Sequence, residues 1–213
     1  MSELLFNEPP RPTFRWLSVN HTVSSLAGED TAVQSIAVEA NKNILSPLPV
    51  GTALLDGNYE GANKEAVHVL VEKAEGYAIN VPPKAKEVVG IRIDANARVA
   101  NRFQFIVGEG AELEVQFYVT GSGDALTNVS YLNEYDVKEA GKVVVKKVNL
   151  LPEHVQHIEH RYTKLEEKAD VEYINIEIGG SENILNYYHD LVGQESRMVH
   201  DIAYLGNKEQ KFD

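Results

Sequence analysis

A flattened parallel β-helix is the fold that this sequence predicts, and three observations predict it. Versions of one stretch recur four times: Val107-Gly-Glu-Gly-Ala-Glu-Leu-Glu-Val115, Val137-Lys-Glu-Ala-Gly-Lys-Val-Val-Val145, Leu165-Glu-Glu-Lys-Ala-Asp-Val-Glu-Tyr173 and Val192-Gly-Gln-Glu-Ser-Arg-Met-Val-His200. Their apolar lead residues stand 30, 28 and 27 positions apart, a period that marks stacked repeats. Each copy has a small residue at its fifth position (Ala111, Gly141, Ala169, Ser196) and an apolar one at its seventh (Leu113, Val143, Val171, Met198). Around them apolar and polar residues alternate with the period of strands, as in Phe103-Gln-Phe-Ile-Val and Leu113-Glu-Val-Gln-Phe. Parallel neighbours need a crossover of about a dozen residues or more. The period supplies it, and a coil of that contour holds two long strands and two corners. A β-sandwich ranks second, because it has no reason to repeat a small residue in phase.

The elements follow in order. Residues 1–80 read as a mixed region capping one end of the stack, with Thr31 to Glu39 and Lys64 to Lys73 as short elements of no clean period. Val81-Pro-Pro-Lys84 marks the passage into the β-helix core, residues 81–213. VGEGAELEV begins like a nucleotide loop, yet that reading needs a third glycine and a following helix. Here an alternating strand follows, so the stretch is a corner entering a strand, with Gly108 and Gly110 supplying dihedrals closed to other residues. The small fifth residue sits where a bulky side chain would jam the stack. Gly121-Ser-Gly123 is a loop, and Tyr173-Ile-Asn-Ile-Glu-Ile178 continues the β-rich style.

Composition narrows the function. The 213 residues carry 20 basic and 32 acidic side chains, a net charge of −12, which repels nucleic acid and anionic membrane surfaces. The absence of cysteine removes disulfides, thiolate ligands and thiol nucleophiles. The N-terminal MSELLFNEPPRPTFRW lacks the basic and apolar regions of a signal peptide, and no apolar run approaches spanning length. The expectation is a cytoplasmic protein, and the sequons Asn20-His-Thr22 and Asn128-Val-Ser130 are then chance matches.

Six segments carry a resemblance: Pro10-Arg-Pro-Thr-Phe-Arg-Trp-Leu-Ser-Val-Asn20, Ala78-Ile-Asn-Val-Pro82, Ile106-Val-Gly-Glu-Gly-Ala111, Ile178-Gly-Gly180, Leu191-Val-Gly193 and Gln210-Lys-Phe-Asp213. In this order and spacing the chain resembles the SufB/SufD family of iron–sulfur cluster assembly proteins, most closely its SufD-like members. The resemblance implies a right-handed β-helix, and a SufC-like ATPase and a SufB-like subunit as partners. In that family the segment docking the ATPase, and the Cys and His implicated in cluster assembly, lie beyond the element in which this chain stops at Asp213. None of them carries over, so no catalytic residue is assigned and no resident cofactor is expected. The resulting expectation is a non-catalytic scaffold or subunit acting through protein contacts. The alternatives are a carbohydrate-active or carbohydrate-binding β-helix and a fragment with no function of its own. The last coil, Met198 to Leu205, should present an unpaired strand edge, to be covered by a second copy, a longer family member or further sequence of the same protein, and self-association through this end is expected.

Several clusters invite chemistry. Glu153-His-Val-Gln-His-Ile-Glu-His160 suggests a metal through His154, His157 and His160. On a strand, however, His154 and His160 share a face that His157 does not, and a polar corner or exposed strand face is the plainer reading. In Tyr187-Tyr-His-Asp190 and His200-Asp201 an imidazole adjoins a carboxylate, but adjacent strand residues face opposite sides, which makes them surface polar residues. Glu112, Glu114, Glu172 and Glu177 could imitate the paired carboxylates of a glycan-cleaving enzyme, and read more simply as solvated strand faces. Phe14 and Trp16, flanked by Arg11 and Arg15, could stack a ligand, and read more simply as an N-terminal anchor packed on the body.

Overall fold

Alternating strands joined by tight corners wind the chain into a parallel β-solenoid of about five turns with an antiparallel start. A computed structural model describes residues 3–6, 22–25, 36–52, 55, 64–122, 127–207 and 209–213. The N-terminal elements are β1 (Glu3–Phe6), β2 (Thr22–Ser25), β3 (Ile36–Glu39), β4 (Leu45–Leu48) and α1 (Lys64–Lys73). The solenoid strands follow as β5 (Gly76–Val81), β6 (Lys86–Asp94), β7 (Val99–Val107), β8 (Glu112–Thr120), β9 (Thr127–Val137) and β10 (Lys142–Asn149). The last are β11 (Val155–Leu165), β12 (Asp170–Glu177), β13 (Glu182–Leu191), β14 (Arg197–Tyr204) and β15 (Lys211–Phe212). One sheet has the order β14-β12-β10-β8-β6-β3 and the facing one β15-β13-β11-β9-β7-β5-β4. All pairs in them are parallel except β3 with β6 and β4 with β5. Of the two expected N-terminal elements, Lys64 to Lys73 is the helix, and Thr31 to Glu39 contains β3, with 31–35 outside the described residues.

The corners explain the repeat. Ala111 N–H donates to Gly108 O, Gly141 to Lys138 O, Ala169 to Glu166 O and Ser196 to Gly193 O, closing the same turn in successive coils. The residue before each small one has positive φ: Gly110 (62°), Ala140 (55°), Lys168 (56°) and Glu195 (59°), with Lys84 (63°) at the first corner. This is the third position of a turn that demands φ > 0 there. The dihedral is therefore not closed to other residues, as expected of Gly110, since four of five corners hold it with a side chain present. Gly108 is needed for room instead: a Cβ there would lie 2.6 Å from Pro83 N.

The repeat register holds with one slip. Leu113, Val143, Val171 and Met198 form one unbroken column, and Val107, Val137 and Leu165 form another. The next member of the second column is Leu191 rather than Val192. The fourth copy is one residue longer at this point, and the extra residue is absorbed in the corner, where Val192 and Gly193 both donate to Leu165 O.

The interior is apolar in the early coils, with Phe105 and Tyr135 stacked at 4.6 Å and Phe103 edge-on to Phe117 at 5.6 Å. Outside, Val67 and Leu70 of α1 pack with Leu132 and Tyr162, and Phe6 packs with Ile158 and Ile184. Strands β9 and β11 are consequently buried on both faces. Among the described residues no helix is long and apolar enough to cross a membrane. Asn128 is fully buried, so its sequon faces no modifying enzyme in the folded chain. Asn20, with Phe14, Trp16, Arg11 and Arg15, lies outside the described residues, as does the whole segment Pro10 to Asn20 that helped carry the resemblance.

Candidate functional site inside the solenoid

Strand parity builds the site. On β10, Val143 and Val145 face inward, so Lys147 and Asn149 do too; on β12, Val171 and Tyr173 are followed inward by Asn175 and Glu177. The same columns one coil earlier hold Phe117 and Val119. Across the lumen, β11 directs His157, Glu159, Arg161 and Thr163 inward. The apolar interior thus gives way to a polar one in the later coils.

Lys147 Nζ lies 2.5 Å from both Glu159 Oε2 and Glu177 Oε1, and all three side chains are fully buried. Arg161 donates to Glu159 Oε1 at 2.7 Å through one terminal nitrogen and at 3.2 Å through Nε. Its guanidinium lies between the rings of Tyr173 and Tyr187, 4.1 Å from each. Asn133 donates to Glu159 Oε1 (2.9 Å) and Tyr187 to Oε2 (3.2 Å), while Asn175 donates to Tyr187 (2.9 Å) and to Glu177 (3.3 Å). Two cations face two anions, so these four charges are balanced. Balance and hydrogen bonds are the conditions under which ionised groups can stay inside a fold.

Proton affinities follow from the arrangement. Burial alone would lower the Lys147 ammonium, but Glu159 and Glu177 outweigh it and hold the pKa above the ordinary value. Burial would raise the Glu159 carboxyl, yet Arg161 and Lys147 hold it well below the usual carboxylate range. His157 is pushed down to about 4, by burial first and by Lys147 second. The neutral imidazole sits with Nδ1 3.1 Å from Asn183 Oδ1 and Nε2 3.0 Å from the Tyr131 hydroxyl. Around the other end of the cluster His189 and His200 are pushed down to about 3 and about 4, by burial first and then by Arg161.

The structure separates the residues proposed as metal ligands. His154 lies in the turn before β11, His157 points into the lumen, and His160 points out from the same strand against Phe6, ring centroids 6.4 Å apart. Neither of the last two is a polar corner or an exposed face, because both are fully buried: β11 is covered on both sides. No group of three or more His, Cys, Asp or Glu among the described residues could hold a metal ion. The two His-containing dipeptides are not mere surface either. His189 and His200 come together across the lumen, 6.2 Å between centroids, with Tyr187 4.8 Å from His200. Of the acidic residues, Glu112 and Glu114 are solvated and paired with Lys86 and Lys146, and Glu172 is exposed. Glu177 is not: it is buried on the opposite face of β12, so Glu172 and Glu177 make no carboxylate pair. Sequence reasoning passed over Lys147, Asn149, Arg161 and Asn175, and met Glu159 only as part of the candidate metal cluster Glu153 to His160. The repeat register held the signal, since each lies an even number of residues from an inward apolar one.

With the geometry in place, one comparison decides kinship. The family model described as "SUF system FeS cluster assembly, SufBD core domain" matches residues 91–213. The chain belongs to the SufB/SufD family. That membership supports a role in iron–sulfur cluster assembly at the level of the family. The matched SufBD core spans β6 from Ile91 onward through β15, and so contains the whole buried charge cluster. No curated protein and no solved structure matches the chain.

Proposed function

We propose that this SufBD-core protein is a non-catalytic, SufD-like scaffold subunit of iron–sulfur cluster assembly that works by joining other subunits through the last coil of its solenoid. The observation that carries the reading is how that coil is finished. Val171, Tyr173, Asn175 and Glu177 of β12 are sealed, whereas their register partners Met198, His200 and Ile202 of β14 are only half-buried and Tyr204 is 47% exposed. Strand β14 has β12 as its one strand partner among the described residues. A strand with a free edge and a half-open core face is a template for another chain. The occupants that fit are a SufB-like subunit or a second copy of this chain, with a SufC-like ATPase joining the assembly.

Co-expression with a SufB-like subunit and a SufC-like ATPase, followed by size exclusion with light scattering, tests this. A stable complex containing the chain is expected. Arg197 N–H donates to Ala169 O just before β12 and Leu205 N–H to Glu177 O at its end, so the even-numbered N–H groups of β14 point to the free edge. The variant Ile202→Pro removes one of them without touching the existing ladder and should break the complex. No complex with either partner, and no self-association, overturns the reading; a complex indifferent to Ile202→Pro moves the contact elsewhere.

A further inference from the structure

The parity that turns Lys147, Asn149, Asn175 and Glu177 inward turns their apolar neighbours outward. Strand β12 carries Ile174 and Ile176 on its outer face, and Ile178 just past its end is exposed as well. In register with Ile176 stand Tyr118, Val148 and Ala203. In the adjoining row Leu150, Ile178 and Leu205 follow the strand ends, joined by N–H bonds from Ile178 to Asn149 O and from Leu205 to Glu177 O. Ile176 is 40% exposed and Leu205 65%. The second row runs into a shallow cavity of about 530 Å³ floored by Leu151 and Gly179. A contiguous apolar strip of this kind on a soluble chain marks an interaction site. Away from the strip the same face is largely charged and pairs with itself, with Lys86 on Glu112 (2.8 Å), Lys146 on Glu114 (2.9 Å) and Arg197 on Asp170 (3.2 Å), around single apolar residues such as Val88.

We propose that this strip docks an amphipathic helix of a partner protein, apolar on one side and rich in lysine or arginine along its flanks. Three observations select that occupant. Neighbouring strands lie about 4.8 Å apart, so β10, β12 and β14 span about 10 Å, the width of one helix with its side chains. The protein already covers the outer face of its other sheet in this way, with α1 laid on Leu132 and Tyr162. The strip is bordered by exposed acidic residues, Glu172 and Asp201 on one side and Glu153 at the cavity, while Lys146 is held by Glu114. A second copy would bring another net charge of −12 to the same border. The site is lateral, and does not depend on what joins the end of the solenoid.

The test uses the full chain and a fluorescent peptide of about 18 residues, five helical turns, with Leu on one face and Lys on the other. A twin with Glu in place of Lys is the control. Anisotropy titration should show the Lys peptide binding at least about tenfold more tightly than its twin. The double variant Ile176→Ser/Leu205→Ser should weaken it by at least about tenfold, and Val88→Ser, equally exposed on the same sheet outside the strip, should not. Because the substituted side chains face solvent, circular dichroism should remain that of the parent; Ile178→Thr, which keeps β-branching, repeats the test if it does not. Absence of Lys-peptide binding, equal binding of the twin, or an unaffected double variant overturns the proposal. A concentration-dependent dimer that the double variant abolishes assigns the strip to a second copy and overturns it as well.

Discussion

Glu159 accepts hydrogen bonds or ion pairs from Lys147, Arg161, Asn133 and Tyr187, drawn from β10, β11, β9 and β13. One carboxylate therefore ties together neighbouring coils and both sheets. Replacing it with an isosteric amide leaves Lys147 with Glu177 alone and Arg161 with no carboxylate, and breaking a buried pair from one side costs about 3–5 kcal/mol. Urea denaturation of Glu159→Gln should show a loss of that size with little change in slope. Glu112→Gln removes a solvated pair with Lys86 and should leave the urea midpoint where it was. Equal behaviour of the two variants would mean that the lumen is wet.

At the scale of the element, the corners were legible from the repeat alone, because a small residue in phase has few other causes. The strands were legible in position but not in facing. Tyr173-Ile-Asn-Ile-Glu-Ile178 alternates as a strand should, and hydrophobicity by itself would bury the isoleucines and expose Asn175 and Glu177; the structure does the reverse. Only the column through Leu113, Val143 and Val171 reveals the facing, since it fixes which parity is inward before the polarity of later residues is consulted. Residues 1–80 resisted reading for another reason: β3 and β4 are four residues each and are held by pairing to distant strands, not by a pattern of their own. The corners also carry a prediction. Ala140 holds φ at 55°, a conformation that costs an L-residue about 1–2 kcal/mol. Ala140→Gly removes that strain and adds about 0.5–1 kcal/mol of chain entropy. A net gain of about 0.5–1 kcal/mol is expected in urea denaturation, and a loss would show that the Cβ contacts matter more than the dihedral.

For the whole molecule the decisive variable is acidity. His157 and His160 are fully buried and pushed down to about 4, chiefly by burial, from an ordinary 6.5. Half-buried His189 and His200 move the same way. A lowered folded-state pKa means that the unfolded chain takes up protons first as pH falls. The stability these rings confer is complete above about pH 6.5 and is lost as the pH drops toward 4. Each of the two enclosed rings accounts for at most about 3 kcal/mol of it. Glu159 acts in the same sense at lower pH, its contribution fading below the ordinary carboxylate range. Melting temperature should be flat from pH 8 to about 6.5 and fall steeply below about 6. His157→Gln, if it folds, should shift that fall to lower pH; a profile flat down to pH 4 would mean that the imidazoles are hydrated.

The two ends of the coil stack are chemically unlike. At one, β3 and β4 run antiparallel to their neighbours, are short, and include Pro47, which has no N–H to give. At the other, β14 continues the parallel sense of the stack. If β14 joins other copies as proposed, the blunt end offers them no matching template for head-to-tail growth. Self-association through strands, as proposed, would then bring β14 to β14, a two-fold meeting. On that proposal, filaments and cross-β fibres, the ordinary hazard of a solenoid with bare strands, are disfavoured, and association of copies is expected to stop at a pair, which light scattering of the chain alone checks.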